Sequence, residues 1–207
     1  VTRAAHPNDG RSMMPETDLE GAYSLKTPDD SRDLYRRWAE TYDSGFAAGR
    51  GYALPRIVAE LWRAEAGPED APVLDLGAGT GLLAEHLPGV VVDGFDISPE
   101  MLAVARRKGL YRRRIVGDAT QPLPFGDGEF GGVVSSGTFT HGHVGPVCLP
   151  ELVRVTRPGA LFACSTRPEV FDGAGFGSAL ARLVAQGAIA PVRFVERRFY
   201  ERDDHDH

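Results

Sequence analysis

Three glycines and two acids stand at intervals that suit the grip of a nucleoside. Gly77, Gly79 and Gly81 alternate with Ala78 and Thr80 directly after Val73-Leu74-Asp75-Leu76, an apolar run broken by a single carboxylate. Glycine in such a turn lets the backbone bend sharply at a strand end and brings bare peptide groups close to a ligand. Asp96 follows nineteen positions after Gly77, at the end of the next apolar run. A carboxylate there can accept hydrogen bonds from both hydroxyls of a ribose, each charge-assisted bond contributing roughly 1.5–3 kcal/mol. A glycine-rich turn alone is weak evidence. The strand before it, the helix after it and the acid beyond give it meaning.

Two cofactor layouts share this plan. The dinucleotide fingerprint G-x-G-x-x-G/A needs a third small residue at position 82, where Leu82 stands, and this counts against an NAD-dependent oxidoreductase. Further along, His141 and His143 are candidate general bases, because histidine can accept a proton near neutral pH. Loop histidines with no catalytic role are the competing reading. A His-x-His pair is too small a ligand set for a metal, and no third partner is evident, so no metal site is expected. Cys148 and Cys164 are the two cysteines, fewer than the three that a radical iron–sulfur cluster needs, and too few for a disulfide framework.

Those residues need strands and helices to hold them. From Ala71 onward, short apolar runs alternate with helical segments, which means βαβ units and a mostly parallel sheet. Strands are expected at Val73–Leu76, Val90–Phe95, up to Ile115-Val116, at Gly131–Ser135 and at Ala160–Ser165, with a further one at Val192–Tyr200. Helices are expected at Leu82–Leu87, after Ser98 with Pro99 in its first turn, at Leu149–Thr156 and at Gly177–Gln186. Arg157-Pro158-Gly159 turns the chain into the fifth strand. Upstream, Thr27-Pro28 starts an amphipathic helix bearing Leu34, Trp38 and Tyr42, which Gly45, Gly49 and Gly51 break, and a second carries Leu54, Val58 and Trp62. The expected organisation is a flexible arm over 1–26, a helical cap over 27–66, a Rossmann-like α/β domain over 67–202 and a polar tail over 203–207.

The chain has 207 residues, 42% hydrophobic and 25% charged, enough apolar material for a sizeable core. Its net charge of −6 argues mildly against a nucleic-acid partner. No apolar run is long enough to span a membrane, and a cytoplasmic protein is expected. The strongest basic cluster, Arg106-Arg107-Lys108 with Arg112-Arg113-Arg114, reads as a solvated face.

The pattern Asp75-x-Gly77-x-Gly79-x-Gly81 resembles the first motif of class I S-adenosylmethionine-dependent methyltransferases. The resemblance continues through Gly94-Phe-Asp96-Ile-Ser98-Pro-Glu-Met101, Val116-Gly-Asp118-Ala119, Phe130-Gly-Gly-Val-Val-Ser135 and Arg154-Val-Thr-Arg-Pro158-Gly159. It covers about Val73 to Thr166 in the right order. More narrowly, Ser135-Ser-Gly-Thr-Phe-Thr-His141 is similar to the methyltransferase-like protein 27 (Williams-Beuren region) group.

The resemblance implies S-adenosyl-L-methionine as cofactor and a small-molecule methyl acceptor, on a doubly wound sheet with an N-terminal helical cap. It implies that Gly77, Ala78, Gly79 and Gly81 admit the methionine moiety and ribose, with Asp75 orienting the amino group. Asp96 would hold the ribose hydroxyls, Ile97 and Met101 would flank the adenine, and Asp118 and Ala119 would bind its edge. Ser135 would sit beside the sulfonium, and Tyr42 would close over the methionine end. The family ends in a hairpin of two strands, whereas only Val192–Tyr200 offers itself here, so the expectation is either that the final strand is missing or that this is a truncated form. A non-catalytic cofactor-binding module is the alternative that shares the same binding residues.

Overall fold

A computed structural model describes residues 28–140 and 144–198. Its centre is a five-stranded, all-parallel sheet in the order β3-β2-β1-β4-β5. The strands are β1 (Val73–Leu76), β2 (Val92–Asp96), β3 (Arg113–Val116), β4 (Phe130–Phe139) and β5 (Thr156–Thr166). In register, Asp75 lies between Gly94 of β2 and Val134 of β4. The strand order reverses between β1 and β4, and a crevice opens at the carboxyl ends of strands at such a switch point. This is the Rossmann-like architecture that the alternating pattern predicted.

Both faces of the sheet are covered. Val73, Val92 and Val134 face helix α2 (Leu54–Arg63), through Val58, Ala59 and Trp62, and helix α3 (Pro99–Lys108), through Leu102 and Ala105. Leu74, Leu76, Phe95 and Val133 face the other way, onto Leu152 and Val155 of α4 (Leu149–Val155). Val170 of α5 (Pro168–Gly173) and Phe176 of α6 (Phe176–Ala185) close that side. Residues buried on both faces explain why these strands read as continuous apolar runs. The exposed edge strand β3 carries Arg113, which pairs with buried Asp93 and with Glu129.

The cap begins with α1 (Pro28–Trp38) and continues as a π-helical segment, Tyr42–Ala47, and a helical turn, Ala48–Arg50. Leu34, Trp38 and Ala39 pack on Met101 and Val104 of α3, so the cap rests on the helix that follows Asp96. Gly45 and Gly49 lie inside helical segments, and only Gly51, in the left-handed region at φ 62°, ends them.

Several expectations are corrected. The helix expected over Leu82–Leu87 is a short 3-10 turn at Ala84–His86. The six residues between Gly81 and Pro88 leave space for little more than the i→i−3 bonds of His86 and Leu87. β4 runs past Ser135 to Phe139 across a register shift, and β5 begins at Thr156, with Arg157-Pro158-Gly159 in a bulge opposite β4. Residues 192–198 form no strand. Val192, Phe194 and Val195 stay exposed among charged neighbours, and Phe194 rests edge-on against Phe171. Among the described residues, no helix is long and apolar enough to cross a membrane.

Candidate functional site

The turn after β1 is shaped by three glycines with positive φ, Gly77 (72°), Gly79 (53°) and Gly81 (90°), each with a different job. A methyl group on Gly77 would lie 1.9 Å from Thr138 Oγ1. A methyl group on Gly79 would meet nothing nearer than the Gly77 carbonyl oxygen at 4.0 Å, and the Gly79 N–H donates to Asp96 Oδ2 at 2.8 Å. Gly81 faces inward onto Leu110 and the Tyr111 ring, so it serves packing and does not line the crevice.

Asp96 closes β2 from the other side. It is buried, and its second oxygen accepts the Ser98 N–H at 2.8 Å. Ser98 in turn caps α3, accepting from Met101 N–H at 3.2 Å. Burial raises the Asp96 carboxyl, and the N–H groups of Ser98, Gly79 and Ile97 partly offset this. Asp75 is 1% exposed and accepts from the Tyr111 hydroxyl at 2.7 Å. Burial pushes its carboxyl up to about 7; the Tyr111 bond pulls down, and the neighbouring Asp96 charge adds to the rise.

These groups border a crevice of about 950 Å³, its open mouth included. Asp75, Gly77, Ala78, Gly79, Asp96, Ile97, Met101, Asp118, Ala119 and Tyr42 all line it, so most of the residues singled out from sequence converge. Asp118 Oδ1 accepts from the Thr120 N–H and hydroxyl, both at 2.8 Å, which leaves Oδ2 without a partner among the described residues. Ser135 is a correction. It is fully buried and donates to the Leu76 carbonyl at 2.7 Å, outside the crevice. Because β4 runs on, Ser136, Gly137 and Thr138 form that wall. His141 and His143 lie outside the described residues.

Sequence reasoning missed Ser136, Thr138, Tyr35, Tyr52, Asp43 and Tyr111. A glycine inside a strand, here Gly137 at φ 75°, signals a bulge that re-aims its neighbours, and that signal was available. The cap contacts had none. Thr80 Oγ1 donates to Asp43 Oδ1 at 2.5 Å, Lys108 pairs with Asp43 and Glu85 at 2.6 Å each, and Arg107 pairs with Glu40 at 2.7 Å. The basic cluster is therefore no plain solvated face: Arg107 and Lys108 tie the cap down over the glycine turn.

Comparison with known proteins agrees with this geometry. Residues 74–164 match the family model described as "Methyltransferase domain". Methyltransferase-like protein 27 of Homo sapiens is 40% identical over 162 residues, 74% of this chain and 65% of that protein. Demethylmenaquinone methyltransferase of Thermus thermophilus is 44% identical over 101 residues, 44% of this chain and 46% of that enzyme. The chain thus spans about half to two thirds of the length of these curated relatives. Among solved structures, the DhpI–SAH complex superposes with a TM-score of 0.54 at 27% identity, covering 69% of this chain and 71% of that one. Motifs, strand order and relatives agree: the chain carries a methyltransferase domain over residues 74–164, on a Rossmann-like fold similar to that of S-adenosylmethionine-dependent methyltransferases.

Proposed function

We propose that this chain binds S-adenosylmethionine in the switch-point crevice and transfers its methyl group to a small-molecule acceptor. The observation that carries the reading is the pair of buried acids, Asp75 and Asp96, at the ends of adjacent strands beneath a glycine turn. The residues fit such a cofactor. Asp96 keeps acceptor capacity for ribose hydroxyls beyond its bonds to Gly79 and Ser98. Asp75 offers a carboxylate to an ammonium, and Asp118 Oδ2 offers an acceptor to an exocyclic amine. Ser136 Oγ, buried in the wall, has no partner among the described residues. Ile97 and Met101 supply apolar surface for a flat base. The relative in complex with SAH and the methyltransferase-like protein 27 similarity support the same reading.

When bound, the cofactor supplies a methyl group already activated on a sulfonium. This chain's residues would then orient the acceptor and exclude water, and orientation can contribute on the order of 7–11 kcal/mol. Tyr35, Tyr42, Tyr52 and Pro55 of the cap side, with Val144, would give the acceptor mainly apolar and aromatic walls. We assign the acceptor's entry to the gap between the cap and the loops after β4 and β5. A dedicated base is not obligatory, and His141 or His143 is our candidate if one acts.

Titration of the purified chain with S-adenosylhomocysteine and with NAD tests the cofactor. Saturable binding of the first alone is expected, and Asp96→Ala should weaken it at least tenfold, the equivalent of losing one charge-assisted bond of about 1.5–3 kcal/mol. Unchanged affinity in that variant refutes the site. Incubation with methyl-labelled cofactor and a metabolite pool separates an enzyme from a pure binder, since only an enzyme moves label to an acceptor.

A further inference from the structure

Tyr111 lies on the connection between α3 and β3, and its hydroxyl ends under the glycine turn of β1. It is 5% exposed. The hydroxyl donates to Asp75 Oδ2 at 2.7 Å and lies 3.4 Å from the Ala78 carbonyl. To arrive there the ring must cross β2, and it does so over Gly94, the residue paired with Asp75 in the sheet. A Cβ at Gly94 would meet the ring at 3.2 Å, and one at Gly81 would meet it at 3.4 Å. Two glycines thus make the slot, and the ring fills it. Asp75 Oδ1 has no partner among the described residues, and Asp75 lines the crevice.

We propose that Tyr111 is a positioning residue for the cofactor: its hydroxyl holds the Asp75 carboxylate in place, and in its charged form, for the ammonium group of the bound nucleoside. The inference rests on the cofactor reading above. A carboxylate this buried favours its neutral form, and a neutral acid cannot pair with an ammonium. The groups acting on Asp75 are Tyr111 and Asp96 of β2; Cys164 of β5 lies on the opposite face of the sheet and feels the Asp75 charge only at a distance, as Tyr111 feels that of Glu85. Of these, Tyr111 is the one that donates to Asp75 and favours its ionised form. Its bond opposes burial and the Asp96 charge, leaving a carboxyl that titrates at about 7 and is poised for an incoming cation to ionise it.

Tyr111→Phe keeps the ring in its slot and removes the donor. Calorimetric titration with S-adenosylhomocysteine, at several pH values between about 6 and 8.5, should show the half-maximal point of affinity moving up by about one pH unit. Binding should be about fivefold weaker at pH 7 and within about twofold of wild type at pH 8.5. Proton release on binding at pH 7, read from buffers of different ionisation enthalpy, should rise from about half a proton toward one. Proton release should vanish in Asp75→Asn, which serves even if Tyr111→Phe does not fold. An affinity loss equal at every pH, an unchanged affinity, or release persisting in Asp75→Asn overturns the proposal. If the wild type binds no S-adenosylhomocysteine at any pH, the cofactor reading fails. The ¹³C resonance of the Asp75 carboxyl in the ligand-free chain then still decides whether Tyr111 governs it: an unmoved midpoint in Tyr111→Phe overturns that hold, and a raised one upholds it.

Discussion

Asp75 makes the ligand-free protein less stable at neutral pH, a cost that the proposed pairing with a ligand cation would offset. Its carboxyl titrates at about 7 in the fold against 3.8 ordinarily, because burial disfavours the charge. Between those values the folded chain keeps a proton that the unfolded chain releases. The associated stability is full below about pH 3.8 and is lost as pH rises through 7. Asp75→Asn removes the cost, so its stability advantage over wild type should be small near pH 4 and should grow to a few kcal/mol by about pH 8. Denaturant unfolding across that range measures it, and an advantage independent of pH contradicts the assignment. Asp75 and Asp96 were legible in the sequence, because their spacing from the glycine turn is local. Tyr111 was not. Its bond to Asp75 spans 36 residues and depends on a slot at Gly94 that only the strand register creates.

The turn after β1 and the end of β4 form one unit, because Thr138 Oγ1 donates to the Leu76 carbonyl at 2.9 Å while crowding Gly77. Thr138 cannot swing away from a new methyl group at 77 without giving up that bond. Gly77→Ala therefore combines left-handed backbone strain with overpacking and should destabilise by about 2–4 kcal/mol. Gly79→Ala meets only the Gly77 carbonyl oxygen, at an unstrained 4.0 Å, and should cost only about 1–2 kcal/mol, although its methyl group would crowd the crevice and weaken S-adenosylhomocysteine binding. Urea unfolding of both variants, with calorimetric binding of the second, tests the contrast; equal stability losses refute it. The elements themselves were largely legible, since runs buried on both faces and proline-started helices carry strong local signals. The misses have local causes too. The segment from Gly81 to Pro88 is too short for a full helix, the bulge around Gly137 hides the second half of β4, and Val192–Val195 resembles a strand but has no paired neighbour among the described residues.

The cap is where the sequence was least able to speak, since the pairs that attach it among the described residues are long-range. Leu34 and Trp38 seat it on α3, and Asp43 links it to the glycine turn through Thr80 and to α3 through Lys108. The side chains of Lys108 and Asp43 are 22% and 32% exposed, so the ion pair is screened and worth only about 0–1 kcal/mol to global stability. We expect its consequence instead in the local opening of the cap over the crevice. Asp43→Ala should leave the unfolding midpoint nearly unchanged while amide exchange rises through residues 34–52 and stays as in wild type for β1, β2 and β4. Release of S-adenosylhomocysteine, followed by stopped flow, should quicken by about 1 kcal/mol or less, up to roughly fivefold, with loss of the tie. High salt should carry wild type toward the variant, because the Debye length shrinks to about 3 Å at 1 M. Lys108→Met should reproduce the salt-sensitive part and leave the Thr80 bond in place. If exchange rises equally across the central strands, Asp43 supports the fold as a whole; if it rises nowhere, Leu34 and Trp38 hold the cap alone. Either result rejects the tie as the latch on the crevice.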